Sequence, residues 1–183
     1  MDRRQRKTRR AIFDSFTDLL SQKEFGQITV GEIIERADVG RATFYAHFET
    51  KDFLLRELCE ELFCHIFDVA NANRAGHSHI FDCDEPGSVF LHLLLHLRNN
   101  DNNLLKLLSG ENNELFLRYF KVELRRLAES QLAQFEARKD PRLPRDFLVE
   151  HITATFIETV RWWVNDGMRL PPETVVKYFY LAV

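Results

Sequence analysis

Cysteine is scarce in this chain, three in 183 residues. The odd number, with no apolar leader at the N-terminus, argues against a disulfide framework and predicts a reducing compartment, the cytoplasm. Long apolar runs are lacking as well. His92 and His96 interrupt the stretch from Val89 to Leu97, and Glu158, Arg161 and Asp166 punctuate the later one, so nothing reaches the roughly 18–20 residues of a membrane helix. There is no Gly-rich phosphate loop, no Gly-x-Ser-x-Gly turn and no His-Glu-x-x-His helix, which excludes the commonest catalytic chemistries. The expectation is a protein that is not an enzyme and carries no cofactor. No sustained two-residue alternation marks a strand, so the chain reads as all-helical.

The formal charge is −3, but it is unevenly spread. Residues 1–56 hold 11 Lys and Arg against 9 Asp and Glu, a balance of +2, while residues 57–183 hold 14 against 19, a balance of −5. Basic character concentrates in Met1 to Arg10, where six of ten residues are Arg or Lys. Taken alone such a run is a solvated tail. Placed just before a DNA-reading element it becomes an arm: Arg3, Arg4 and Arg6 are expected to form a flexible segment that meets the phosphate backbone or minor groove. Lys7, Arg9 and Arg10 then open the first helix.

That element lies in residues 40–51, Gly-Arg-Ala-Thr-Phe-Tyr-Ala-His-Phe-Glu-Thr-Lys. On a helix Phe44 and Phe48 share a face, while Arg41 with Tyr45 and Thr43 with His47 form i, i+4 pairs elsewhere. A guanidinium can bond guanine edges, and hydroxyls and imidazole can bond phosphates or bases. Lys51 adds a mobile positive charge beyond the helix. Upstream, Thr29 and Glu32 have the spacing of a capping box, and Asp38-Val39-Gly40 makes a tight turn. Short helix, turn and second helix predict a helix-turn-helix.

The ordered set from Thr8 to Leu55 resembles the TetR family of bacterial transcriptional regulators. It comprises Ala11-Ile12-Phe13 through Leu19-Leu20, Phe25, Ile28 to Ile33, Ala37, Val39, and Thr43 to Phe48 with Lys51. Where the family usually has a capping Ser or Thr, this chain has Gly40. The resemblance implies phosphate contacts from Tyr45, His47 and Lys51, with Thr29, Arg41 and Thr43 nearer the base edges. It implies a homodimer on a near-palindromic double-stranded operator, acting as a repressor released by a small-molecule effector. The expected architecture is a three-helix DNA-binding head, residues 1–50, and a helical regulatory and dimerisation body, residues 51–183, about nine helices in all.

Helix periodicity predicts helices from about Thr8 to Lys23, from Lys51 toward Asn73, and near 88–99, 102–109, 111–138, 145–166 and 172–182, with residues 74–87 a loop. The run Phe156 to Gly167 with Pro171 to Val175 resembles the last two helices of a Gram-positive TetR subgroup. By that resemblance Ile157, Val160, Arg161, Val164, Val175 and Phe179 would form a four-helix dimer interface. Trp162 and Trp163 are adjacent and must point in different directions, so one packs internally and the other is left for a partner. Phe90, Phe116, Tyr119, Phe120, Phe156 and Trp163 are candidates for lining an effector pocket between helices, although aromatics at such spacing are most often core.

Two alternatives remain on sequence grounds. Cys59, Cys64, His65, His77, His79 and Cys83, with His92 and His96 at i, i+4, could build a metal or redox sensor, but the spacing holds no compact Cys-x-x-Cys unit. The plainer reading takes these as packed or surface residues, with no metal site. The second alternative is a coactivator that uses a TetR-like scaffold for protein interaction.

Overall fold

The computed structural model of the protein describes residues 3–70, 88–99, 108, 114–136, 140 and 142–183. Among these residues there are nine α-helices and no strand. The expected loop at 74–87 and the expected helix at 102–109 fall outside them, apart from helical Leu108.

The first helix, α1 (Arg3–Gln22), buries Ile12, Phe13, Phe16, Leu19 and Leu20 at spacings of three and four, the stripe of an amphipathic helix. It begins five residues earlier than the periodicity suggests. Arg, Gln and Lys are good helix formers and nothing between Arg3 and Thr8 breaks the ladder, so the basic segment continues the helix outward. Arg3, Arg4 and Arg6 are exposed on that extension; they are helical, which corrects the expectation of a flexible arm.

A 3-10 turn at Phe25–Gln27 leads to α2 (Val30–Arg36). The capping box is present, with the Glu32 amide donating to Thr29 Oγ1 at 3.2 Å and the Thr29 amide donating to Glu32 Oε2 at 2.9 Å. A bond from the Lys23 ammonium, followed by the Thr29 amide and hydroxyl, holds the Glu32 carboxyl down to about 2. Asp38 takes the left-handed turn with φ 51°, which a short polar side chain tolerates. It sends the chain into α3 (Arg41–His47), which buries Phe44. Phe48 closes the head from just beyond α3, edge-on to Phe13 with centroids 5.3 Å apart.

Thr50 caps α4 (Lys51–Ala70) by accepting the Phe53 amide at 3.0 Å. The apolar face of α4, including Leu54, Leu58, Leu62, Phe63 and Ile66, is buried. It packs against α5 (Val89–Asn99) and α6 (Glu114–Ser130). A short α7 (Leu132–Glu136) follows Gln131, where the 111–138 expectation has one continuous helix. The long α8 (Arg145–Asn165) packs on α6 and on α9 (Pro172–Ala182), and α9 also meets α5. Helix α8 ends in a turn that uses Gly167 at φ 70° and Met168 at φ 54°.

The two tryptophans divide as their phase requires. Trp163 is fully buried with its indole N–H donating to the Leu170 carbonyl at 2.8 Å, whereas Trp162 is 48% exposed. No helix among the described residues is long and apolar enough to cross a membrane.

Candidate nucleic-acid interface

Helix α3 presents two chemically different faces. Phe44 is fully buried against Phe48, at a centroid distance of 5.9 Å. Arg41, Thr43 and Tyr45 are exposed and His47 is half-buried. Neither the Arg41 guanidinium nor the Thr43 hydroxyl has a hydrogen bond or ion pair among the described residues. The Tyr45 ring stands edge-on to Phe44 at 5.4 Å, a contact that steers its hydroxyl away from the core. A seven-residue helix therefore offers a guanidinium, two hydroxyls and an imidazole from a backbone pinned by Phe44 and Phe48. That is the inventory direct readout requires.

Two expected contacts are placed differently. Thr29 is exposed, but its hydroxyl accepts from the Glu32 amide and donates to Glu32 Oε2 at 2.9 Å. Its hydrogen-bonding capacity is thus largely committed to the start of α2. Lys51 is not the mobile cation expected of it. Its ammonium donates to the Phe25 carbonyl at 2.7 Å and the Ile28 carbonyl at 2.8 Å, and it lies 4.2 Å from the Phe25 ring centroid. Burial pushes its pKa below the usual lysine value. One N–H of a fixed ammonium remains for a phosphate. Lys51→Met removes two charge-assisted bonds, one of them to the Phe25 carbonyl that the Ile28 amide also reaches, so it should cost about 2 kcal/mol in a denaturant titration. A midpoint equal to that of the unaltered protein would show the clasp to be inert.

Gly40 stands at the start of α3 in extended backbone, φ −72°, and no side chain caps the helix there. A Cβ at this position would meet only Thr43 Oγ1, at 3.7 Å. Neither conformation nor space demands glycine.

Arg9 ties the head to α4. Its guanidinium donates to Glu57 Oε2 at 2.6 Å and to Glu61 Oε1 at 3.3 Å, and lies 4.9 Å from the ring centroids of both Phe13 and Phe48. Sequence position groups it with the basic segment; the structure uses it as a brace.

In the body, the residues expected at a dimer interface mostly face inward. Val160, Val175 and Phe179 are fully buried within the chain and Ile157 nearly so. Val164 is half-buried, and Arg161 donates to the Leu108 carbonyl at 3.1 Å while pairing with Glu158. The outward stripe is a different one: Trp162, Tyr178 and Leu181 are 48%, 48% and 84% exposed. Trp162 and Tyr178 lie 6.2 Å apart across an open groove that Ala154, Thr155, Glu158, Thr159 and Ala182 complete. The phase of α8 could have signalled this face, because positions 154, 158 and 162 recur every fourth residue on the side away from Phe156, Val160 and Trp163.

The aromatics proposed for an effector pocket pack ring against ring. The Phe90 ring centroid lies 5.3 Å from that of Phe156 and 4.9 Å from that of Phe179, while Phe120 is tilted against Phe116 at 5.7 Å and edge-on to Phe63 at 5.1 Å. Trp163 closes the α8 turn, and Tyr119 is half-buried beside the Arg118 guanidinium. Five of the six are buried in the hydrophobic core, and Tyr119 packs against it. Of the cysteines, Cys59 is buried and Cys64 exposed, and burial raises the Cys59 thiol well above its ordinary value. His77, His79 and Cys83 lie outside the described residues.

Comparison with known proteins agrees with this geometry. The family described as "Bacterial regulatory proteins, tetR family" matches residues 12–58, and "Transcriptional regulator C-terminal region", of the same family, matches residues 84–182. The chain belongs to the TetR family. A TetR transcriptional regulator from Streptococcus agalactiae 2603V is 32% identical, with a TM-score of 0.71 over 97% of this chain and 94% of that one. An uncharacterized HTH-type transcriptional regulator of Bacillus subtilis, YxbF, is 24% identical over 98% of this chain, which spans only 45% of that relative's length. FadR from Bacillus subtilis, solved with stearoyl-CoA, shares the fold at 17% identity and a TM-score of 0.56, over 94% of this chain and 98% of that one. Family membership places this chain among the TetR-family transcriptional regulators.

Proposed function

We propose that this TetR-family protein binds a near-palindromic operator as a homodimer through α3 and represses transcription until an effector releases it. The observation that carries the reading is the split of α3, with Phe44 and Phe48 anchoring it while Arg41, Thr43, Tyr45 and His47 face outward. In this arrangement Arg41 reads a guanine edge, Thr43 contacts the groove wall, and Tyr45 and His47 bind phosphates. Arg3, Arg4 and Arg6 add positive charge from the outward end of α1. Residues 1–50 act as the reading head and residues 51–183 as the body that pairs and spaces two heads about 34 Å apart, so that both enter successive major grooves.

The test is binding to the DNA upstream of the protein's own gene, followed by fluorescence anisotropy across salt concentrations. With about eight phosphate contacts per dimer, log affinity against log salt should fall with a slope near −7. Arg41→Ala should relax sequence preference by about 1–3 kcal/mol at one base pair per half-site. A slope near zero, or specificity unaltered by Arg41→Ala, overturns this assignment. Supporting an effector-responsive body, FadR from Bacillus subtilis, which shares the fold, was solved with stearoyl-CoA.

A further inference from the structure

Three buried histidines from two helices meet where α4 crosses α5. His65 on α4 and His92 and His96 on α5 each offer a ring nitrogen, and these nitrogens all lie within 4.8 Å of one another. The His92 and His96 Nε2 atoms are 2.9 Å apart. The His65 ring centroid lies 5.1 Å from that of His92 and 4.6 Å from that of His96. Among the described residues the group consists of these three imidazoles.

We propose that His65, His92 and His96 form a binding site for a divalent transition-metal ion of the zinc class, bridging α4 and α5. Metal–imidazole bonds of about 2.0–2.1 Å at a tetrahedral angle place ligand nitrogens about 3.3 Å apart. The His92–His96 pair needs to open by only a few tenths of an ångström to reach this spacing, and its i, i+4 placement is the one that puts two imidazoles on a single metal. His65 supplies the third ligand from the neighbouring helix, and three protein ligands are a count that zinc sites use. Three imidazole ligands favour zinc and its borderline neighbours over magnesium or calcium. A buried hydrogen-bonded histidine cluster without metal is the competing account, and the tests below separate the two.

The site also lies on the path between the two parts of the molecule. His65 stands 14 residues along α4 from Lys51, which grips the head through Phe25 and Ile28, and α5 packs on α9, which carries the exposed Tyr178–Leu181 face. Drawing His65 into register with the α5 pair fixes α4 against α5. If the two head spacings differ in that packing, the metal binds them unequally and thereby shifts the equilibrium between them. This coupling rests on the proposed DNA-binding function; the metal site itself does not.

The experiment uses the chelator-treated full-length protein and titrates it with zinc alone by competition against a chromophoric chelator. Expected is one zinc per chain with a dissociation constant in the micromolar range or tighter, weakened on the order of 100-fold by His92→Leu or His96→Phe and unchanged by His151→Ala. Cobalt(II) in the unaltered protein should give the visible bands of a four- or five-coordinate nitrogen site, a readout that does not depend on whether the variants fold. Absence of these bands, or zinc affinity no better than about millimolar, overturns the site. So does zinc binding that survives both substitutions in protein of native helicity. In the second arm, saturating zinc should change operator affinity by about 5-fold or more in the unaltered protein and not in His96→Phe. Operator affinity indifferent to bound zinc overturns the coupling. Failure to bind operator with or without zinc counts against the DNA-binding reading and leaves the zinc titration to decide the site.

Discussion

Trp162→Glu combined with Leu181→Arg should yield a folded monomer whose operator affinity has fallen by about three orders of magnitude or more, the span separating specific from nonspecific binding. The two side chains are 48% and 84% exposed beside Tyr178. Large apolar groups displayed on one face of two adjacent helices signal a surface built for contact. Introducing charges there blocks reburial without touching the core, because Trp163, Val160 and Phe179 beneath are already fully buried. A lone head then has too few contacts for selective binding. Sedimentation velocity would report the mass and circular dichroism the fold. A dimer that persists through both substitutions would remove this face as the pairing surface.

That surface shows where sequence reading stops. The helices were legible because their signals are local. The apolar stripe of α1, the Thr29–Glu32 box, the Thr50 cap and the Pro171–Pro172 start of α9 each need only a few neighbouring residues. The two faces of α3 were legible for the same reason. The phase of α8 marks its outward side at positions 154, 158 and 162, but whether Ile157, Val160 and Val164 meet their own chain or a partner depends on where α6 and α9 lie. Lys51 reads as a free cation until the 3-10 turn at Phe25–Gln27 brings two carbonyls to it from over 20 residues away. His65 likewise gives no local sign of His92 and His96, because their meeting depends on where α4 crosses α5.

Phe44→Ala and Tyr45→Ala, neighbours on one short helix, should fail in opposite ways. Phe44 is fully buried and touches both Tyr45 and Phe48. Truncating it leaves a cavity in a head whose core is built from few side chains, at a cost of about 3–5 kcal/mol, a large share of the 5–15 kcal/mol that typically holds a domain folded. DNA binding should then be lost together with the cooperative melting of the head, and Phe44→Leu should recover most of both. Tyr45 is 47% exposed, so its removal should change stability by less than about 1 kcal/mol. In the proposed dimer the tyrosine occurs twice, and two phosphate hydrogen bonds of about 1 kcal/mol each would correspond to roughly 30-fold in operator affinity. Thermal melts and binding isotherms on the same two preparations separate the roles. Equal stability losses from both substitutions would mean that α3 has no dedicated outward face, and the DNA-reading assignment of Arg41 and Thr43 would fall with it.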